Sequence, residues 1–291
     1  MPQFDLIVIG GGAAGFYGAI QAAELNPCLR ILILEKSNRV LSKVRVSGGG
    51  RCNVTHHCFD PVALSKHYPR GKKSLQSVFK DYDAKHTVNW FSAKGVQLKV
   101  ESDGRMFPIT DDSQTIIQCF LSEAQHRSII VETGNGVVGI TRRESVLEIE
   151  TQTGKKYTAS KVLVAVGGSP KPEAYSFVIR MGHTIKAPIP SLFTFNDPER
   201  KFADLMGISV DNALVRIAGT DFTQDGPVLI THWGLSGPAV IRLSAWAAEY
   251  LYQQTYKFNC LVSWIGSTTE QTLNAELEGR KMSTGKQKVY N

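Results

Sequence analysis

The apolar positions of this chain switch between two periods. Phe4 to Ile9 is an unbroken apolar run containing β-branched residues, the pattern of a strand buried on both faces. Ala13 to Asn26 has helical spacing, and Ile31 to Lys36 (ILILEK) is a second buried run. Strand, helix and strand in that order predict a parallel pair joined by a crossover helix. Residues 37–57 interrupt the pattern as a loop rich in glycine and basic residues. Residues 61–94 carry helical patterns broken at Pro69–Gly71 and near Asp81, with Asn89, Trp90 and Phe91 late in one helix. Gln97 to Glu101 and Arg105 to Phe107 read as a hairpin around Ser102-Asp103-Gly104. Ser113 is read as the N-cap of a helix over 114–126. Further strands are expected at 129–132, 136–141, 146–151, around Tyr157 and at 161–166, with a helix from Tyr175 to Met181.

The pattern changes at Pro188 and Pro190. From Ser191 to Ile230 it predicts short strands with turns at Asp197-Pro198, Gly219 and Asp225-Gly226. Pro238 to Tyr252 reads as a helix capped by Ser236 or Gly237, with Pro238 at its first position. A strand at 258–265 and a helix at 268–278 follow. The expected organisation is an α/β domain over 1–190 and a β-rich domain with helices over 191–291.

Composition narrows the classes. The 291 residues are 42% apolar, ordinary for a globular protein. The net charge of +7 reads as dispersed over a solvated surface, so no nucleic-acid partner is expected. The five cysteines, Cys28, Cys52, Cys58, Cys119 and Cys260, are odd in number and form no C-x-x-C pair. A disulfide framework, a zinc site and a dithiol pair are therefore not expected, and reduced thiols fit a cytoplasmic protein. No apolar run approaches the roughly 18 residues of a membrane helix, and the first strand begins too near Met1 for a signal peptide. No membrane partner is expected. No internal repeat is visible.

Chemistry concentrates in three glycine-rich segments. Gly10, Gly12 and Gly15 have the G-x-G-x-x-G spacing directly after the first strand, and Glu35 ends the second strand 20 residues later. The first glycine permits a tight turn, the second lets backbone approach a pyrophosphate, and the third packs helix on strand. The helix N-terminus favours the phosphates by roughly 0.3–2 kcal/mol, and Glu35 can accept from ribose hydroxyls. This spacing alone does not separate FAD from NAD. The second segment is VSGGGRCN at 46–53, whose bare backbone suits a flat ring or a phosphate, flanked by Lys43, Arg45 and Arg51. The third, VLVAVGG at 162–168, ends a buried strand in two glycines at the sheet edge where α/β ligands bind. Arg51 is a candidate for stabilising negative charge on a bound cofactor or for a phosphate contact. His232 is a candidate proton donor, with Tyr175 a weaker one. Cys52 is read as a structural thiol rather than a redox group, and His56, His57 and Cys58 lack the further ligands a metal needs.

In order along the chain, VIGGGAAG (8–15), SGGGRCNVT (47–55), GRMFP (104–108), VLVAVGGSPKP (162–172) and THWGLSGPAV (231–240) carry a family resemblance. The chain resembles the BaiN-like, or aminoacetone-oxidase-like, FAD-binding flavoproteins of the wider glutathione-reductase-like group. The resemblance implies a Rossmann-type FAD-binding domain with a parallel sheet, interrupted by an inserted β-rich domain. It implies that Gly10, Gly12, Ala13, Ala14 and Gly15 hold the pyrophosphate and that Glu35, with Lys36 beside it, binds the adenosine ribose. Lys43 and the run Ser47, Gly48, Gly49, Gly50, Arg51, Cys52 and Asn53 would line the ribityl and flavin part. Val138 would offer backbone to adenine, and Ala165, Gly167 and Gly168 would complete the pocket. Val166 stands where the family pattern has threonine. The family pattern also continues for roughly another hundred residues, a length comparable to a small domain. The expectation is thus a chain shortened at its carboxyl end, with the second domain incomplete and weakened FAD binding.

The activity implied is hydride transfer between flavin and a small organic substrate. The first reading is reduction of a C=C bond conjugated to a carbonyl, driven by NAD(P)H. With no second G-x-G-x-x-G between a strand and a helix, a nicotinamide would visit the flavin only transiently. Alternatives are amine oxidation, flavin or nucleotide binding without turnover, and a flavoprotein associated with RNA.

Overall fold

The computed structural model describes residues 1–284. The chain divides into two compact units, Met1–Pro188 and Ile189–Asn291.

In the first unit, β1 (Gln3–Ile9), α1 (Ala13–Leu25) and β2 (Ile31–Leu34) form the expected parallel crossover. The segment 37–57 is more ordered than its composition predicts. It contains α2 (Ser42–Val46), a 3-10 turn at Ser47–Gly50 and β3 (Thr55–His56). Next come α3 (Pro61–Ser65), α4 (Lys72–Asp81), α5 (Ala84–Ala93), β4 (Leu98–Val100) and β5 (Arg105–Pro108). Strands β3, β5 and β4 make a small antiparallel sheet. Then follow α6 (Ser113–His126), β6 (Ile130–Glu132), β7 (Val137–Arg143), β8 (Val146–Thr151), β9 (Lys156–Val164) and α7 (Ser176–Ile179).

The main sheet has the order β6-β2-β1-β9-β8-β7. Its first four strands are parallel, and β8 and β7 add antiparallel. Burial on both faces explains the unbroken apolar runs. Val8, Ile31 and Ile33 pack with Phe16 and Ile20 of α1 and with Ile116, Ile117 and Phe120 of α6. Ile7, Ile9, Leu32 and Leu34 point the other way, against Ile149, Tyr157 and Phe177. Phe16 is fully buried at the centre of the first layer, so Phe16→Ala would cost about 3–5 kcal/mol.

In the second unit, β10 (Phe195–Asn196), β11 (Ser209–Ile217), β12 (Thr223–Thr231) and β13 (Gly234–Ser236) precede α8 (Pro238–Trp246) and α9 (Ala248–Gln253). Strand β14 (Cys260–Ser263) and α10 (Glu270–Thr284) end the described chain. The antiparallel sheet β10-β13-β12-β11-β14 packs its Val215, Ile217, Val228 and Ile230 against Val240 and Leu243 of α8.

Four local expectations are corrected. Asp112, not Ser113, caps α6, accepting from Gln114 N at 2.8 Å, while Ser113 Oγ donates to Arg45 O. The strands expected around Tyr157 and at 161–166 are one continuous strand, β9. Asp225-Gly226 lies inside β12. Gly226 takes φ +122° where the register with β11 shifts, so it bends the strand without ending it. The helix expected over 238–252 breaks at Ala247 into α8 and α9.

Candidate functional site

The carboxyl edge of the parallel sheet carries the glycine turn. Gly10 has φ +112°, and a Cβ there would stand 2.4 Å from Ala165 O. Ala165 N in turn donates to Ile9 O at 2.8 Å, so the first and third glycine segments are locked together. At Gly15 a Cβ would lie 1.9 Å from Gly10 O, which is why helix and strand can meet this closely. Gly12 differs. It is the N-cap of α1 with no side-chain cap, no carboxylate sits in the first turn, and a Cβ there would meet nothing within 4 Å. Open space therefore lies in front of the first N–H groups of α1, at Ala13 and Ala14, where the helix dipole is positive.

Glu35 lies one residue past the end of β2, with its own N–H donating to Glu132 O. Its carboxylate does more than the sequence suggested. Oε2 accepts from Gly11 N at 2.8 Å, and Oε1 accepts from Ser37 N and Ser37 Oγ. Glu35 thus fastens the glycine turn to the β2 edge and retains lone pairs for a ribose. Beside it, Asn135 N donates to Glu35 O, and Lys36 Cβ lies against Gly136. Val138 follows as the extra residue of a bulge between β7 and β8, and its carbonyl accepts from Arg180. Val138 thus follows closely on the residues beside Glu35, and its carbonyl, with one lone pair engaged by Arg180, keeps a second.

The second glycine segment closes the other side. Lys43 Nζ donates to Gly168 O at 3.1 Å, and Gly167 takes φ +69° beside it. Gly48, Gly49 and Gly50 are all left-handed. A Cβ would meet nothing within 4 Å at the latter two, but would strike Phe107 and Asn53 at Gly48. Ser47 Oγ donates to Val44 O, and Ser47 O accepts from Cys52 N.

Arg51 has partners that the sequence did not reveal. Its guanidinium pairs with Glu101 and Asp111 and lies 4.0 Å over the Phe107 ring. The Glu101 carboxylate holds the guanidinium firmly charged. The geometry gives Arg51 the job of bracing the glycine loop on the β4–β5 hairpin, with its charge compensated there. Cys52 is buried, which pushes its thiol up and leaves it protonated despite its arginine neighbour. His232 belongs to the second unit, exposed in the β12–β13 turn with its ring 4.4 Å from Trp233. Tyr175 donates to Gly167 O and accepts from Ser169 N, so it shapes the third glycine segment. Among the described residues, no three His, Cys, Asp or Glu side chains gather as a metal site.

A cavity of about 430 Å³ opens beside Ala13, Ala14, Lys43, Ser47 and Asn53. Its far wall is aromatic, from Tyr17, Tyr82, Trp90 and Phe120. Burial pushes the Tyr17 hydroxyl well above its ordinary range, so it stays neutral. Trp90 Nε1 is buried with no acceptor. An orphaned buried donor of this kind costs about 1–3 kcal/mol. The sequence placed Trp90 late in a helix but gave no sign of this cavity. A larger cavity, about 930 Å³, opens at the other end of the sheet near Arg30 and Ser128 and contains none of the glycine segments.

Residues 4–278 match the family model described as the HI0933-like protein Rossmann domain. The chain belongs to this family. The HI0933-like family is one of FAD-dependent oxidoreductases. The chain is 26% identical over 254 residues to a 3-dehydro-bile acid delta(4,6)-reductase of Clostridium scindens, covering 84% of this chain and 61% of the relative. It is 27% identical over 255 residues to a ribosomal RNA dihydrouridine synthase of Escherichia coli, covering 84% of this chain and 62% of the relative. This HI0933-like chain therefore spans about three-fifths of the length of these curated relatives. A flavocytochrome c3 fumarate reductase in an open conformation shares the fold, with a TM-score of 0.53 and 13% identity, over 72% of this chain and 47% of that one.

The residues present fit FAD. The uncapped start of α1 with open space before Gly12 suits a pyrophosphate, Glu35 suits a ribose, and the bare backbone at Gly49 and Gly50 suits a flat ring.

Proposed function

We propose that this chain binds FAD along the carboxyl edge of its parallel sheet and serves an oxidoreductase that saturates a C=C bond conjugated to a carbonyl. The observation that carries the binding half is the contrast among the three glycines: Gly10 and Gly15 are closed by backbone, and Gly12 faces open space at an uncapped helix start. The reaction class draws on the two relatives. A delta(4,6)-reductase acting on a 3-dehydro compound and a dihydrouridine synthase both name saturation of a C=C bond near a carbonyl.

Bound FAD would supply hydride transfer at its flavin ring. The chain's own residues bind, orient and exclude water. The α1 N-terminus meets the phosphates, Glu35 holds the turn that presents them, and Lys43 ties the SGGGRCN loop to Gly168. In the neighbouring cavity, the Trp90 indole forms part of the wall and Tyr17 is a neutral phenol. NAD(P)H as electron source belongs to the same proposal; no second glycine fingerprint between a strand and a helix occurs in these 291 residues, so a nicotinamide would visit the flavin transiently.

The test is anaerobic reoxidation of the reduced, FAD-loaded protein. A cyclic enone should oxidise it faster than the matching saturated ketone. Reduction of the oxidised protein by a primary amine, with no reoxidation by enones, would overturn the reductase reading in favour of amine oxidation.

A further inference from the structure

The net charge is less dispersed than the composition suggests. Residues 66–80 contain five basic side chains, Lys66, Arg70, Lys72, Lys73 and Lys80, and no carboxylate. All five are exposed. Elsewhere in the first unit, four lysines pair with carboxylates: Lys94 with Glu24 and Glu123, Lys99 with Asp111, Lys155 with Glu132 and Lys156 with Glu148. Among the described residues, no ion pair engages Lys66, Lys72, Lys73 or Lys80.

The fold makes these cations a ridge. At 100° per residue, Lys72, Gln76, Lys80 and Lys73 fall within an arc of about 100° on α4, and Lys72 and Lys80 are separated by about 12 Å along its axis. Gln76, within the same arc, ties α4 to α3: its Nε2 donates to Ser65 Oγ, and Ser65 is fully buried. Aromatic rings flank it. Tyr68 is packed against Phe79 at 5.5 Å with much of its face exposed, and Tyr82 stands exposed at the end of α4. Tyr82 also lines the cavity shared with Lys43, Ser47 and Asn53, so the ridge leads to the proposed cofactor edge.

We propose that the α3–α4 ridge binds the phosphate backbone of RNA, with Lys66, Lys72, Lys73 and Lys80 as phosphate contacts and Tyr68 and Tyr82 as stacking faces. This rests on the reductase reading above and names its partner class. Linear positive charge beside exposed aromatic rings matches a single strand, whose phosphates and bases need both. An anionic membrane would use the charge but has no need of the rings.

The test compares the full chain with two triple variants. One removes the ridge (Lys72→Ala, Lys73→Ala, Lys80→Ala). The other removes the same charge elsewhere (Lys161→Ala, Lys257→Ala, Lys281→Ala). Binding of fluorescein-labelled oligouridine is followed by anisotropy across salt concentrations. Losing three phosphate contacts should reduce the slope of log affinity against log salt by about 2, so the parent's affinity falls about twentyfold more than the ridge variant's between 50 and 200 mM salt. The control triple should keep the parent slope. Equal slopes in the two triples, or no oligouridine binding by the parent, would overturn the proposal. So would binding of phosphatidylserine vesicles without binding of oligouridine. FAD titration of the same three proteins keeps the two readings apart: all should bind FAD equally, and loss of FAD binding by the parent with RNA binding intact would count against the reductase reading alone.

Discussion

Replacing Gly12 or Gly15 by alanine adds the same methyl group a few residues apart, and the two changes should have opposite consequences. At Gly15 the new Cβ would sit 1.9 Å from Gly10 O, about 1.5 Å short of ordinary contact. The obstacle is backbone on both sides, so neither can swing away. Overpacking of this kind costs about 1–3 kcal/mol. In a unit of this size that is a fall in Tm of roughly 2–12 °C. At Gly12 the Cβ meets nothing within 4 Å, and φ −91° suits any residue. Two small terms then oppose each other. Alanine is a poorer N-cap than glycine by about 0.5–1 kcal/mol, and reduced freedom of the unfolded chain returns about 0.4–1 kcal/mol. The Gly12→Ala protein should melt within a few degrees of the parent. Its methyl, however, occupies the space in front of the α1 N–H groups, and FAD affinity should fall at least tenfold, about 1.4 kcal/mol. Thermal melts without ligand and fluorescence titration with FAD measure both quantities. The reasoning fails if Gly12→Ala binds FAD like the parent, or if Gly15→Ala melts like the parent.

Glu35→Gln leaves one acceptor oxygen for the two N–H groups of Gly11 and Ser37 that the carboxylate now serves. It should lower stability by about 1 kcal/mol and weaken FAD binding, and a melt unchanged from the parent would show that the clamp is idle. Burial tends to raise the Glu132 carboxyl, but hydrogen bonds from Lys155, Tyr157 and Asn135 outweigh it and hold the group below its ordinary value. Its stabilisation is therefore present above the unfolded carboxylate range and is lost as pH falls through the lowered folded value. Glu132→Gln should flatten the acid limb of the stability curve, which denaturation at stepped pH reads out. Burial pushes the Cys119 and Cys260 thiols up to about 11, aided at Cys119 by the Glu123 charge, and Cys52 is also raised. Iodoacetamide at pH 8 should label exposed Cys28 first, and rapid labelling of Cys119 or Cys260 would contradict the packing around them.

The parts of this fold that sequence alone conveys are those whose cause is local. The run Phe4 to Ile9 is apolar throughout because both faces of β1 are covered, and the glycine spacing records close backbone approaches at Gly10 and Gly15. What sequence conceals depends on distant partners. Arg51 looks like a free cation until Glu101 and Asp111, far along the chain, are seen to hold it. Ser113 and Asp112 are both good caps on paper, and Arg45 O decides between them by engaging the serine hydroxyl. The strand expected around Tyr157 and the one at 161–166 join because β1 pairs along the whole length from Thr158 to Val164. Trp90 gives no hint in sequence of its orphaned N–H, since the cavity around it is assembled from α1, α5, α6 and the SGGGRCN loop.

The most direct test of the account is a paired equilibrium titration of the purified chain with FAD and with NAD, followed by intrinsic and flavin fluorescence. The glycine turn, Glu35 and the bare backbone at Gly49 and Gly50 predict saturable FAD binding at one site, abolished or much weakened in Gly12→Ala, with NAD a poor competitor. Tight NAD binding that displaces FAD, or FAD binding that ignores the Gly12 substitution, would contradict the placement of the cofactor on this edge.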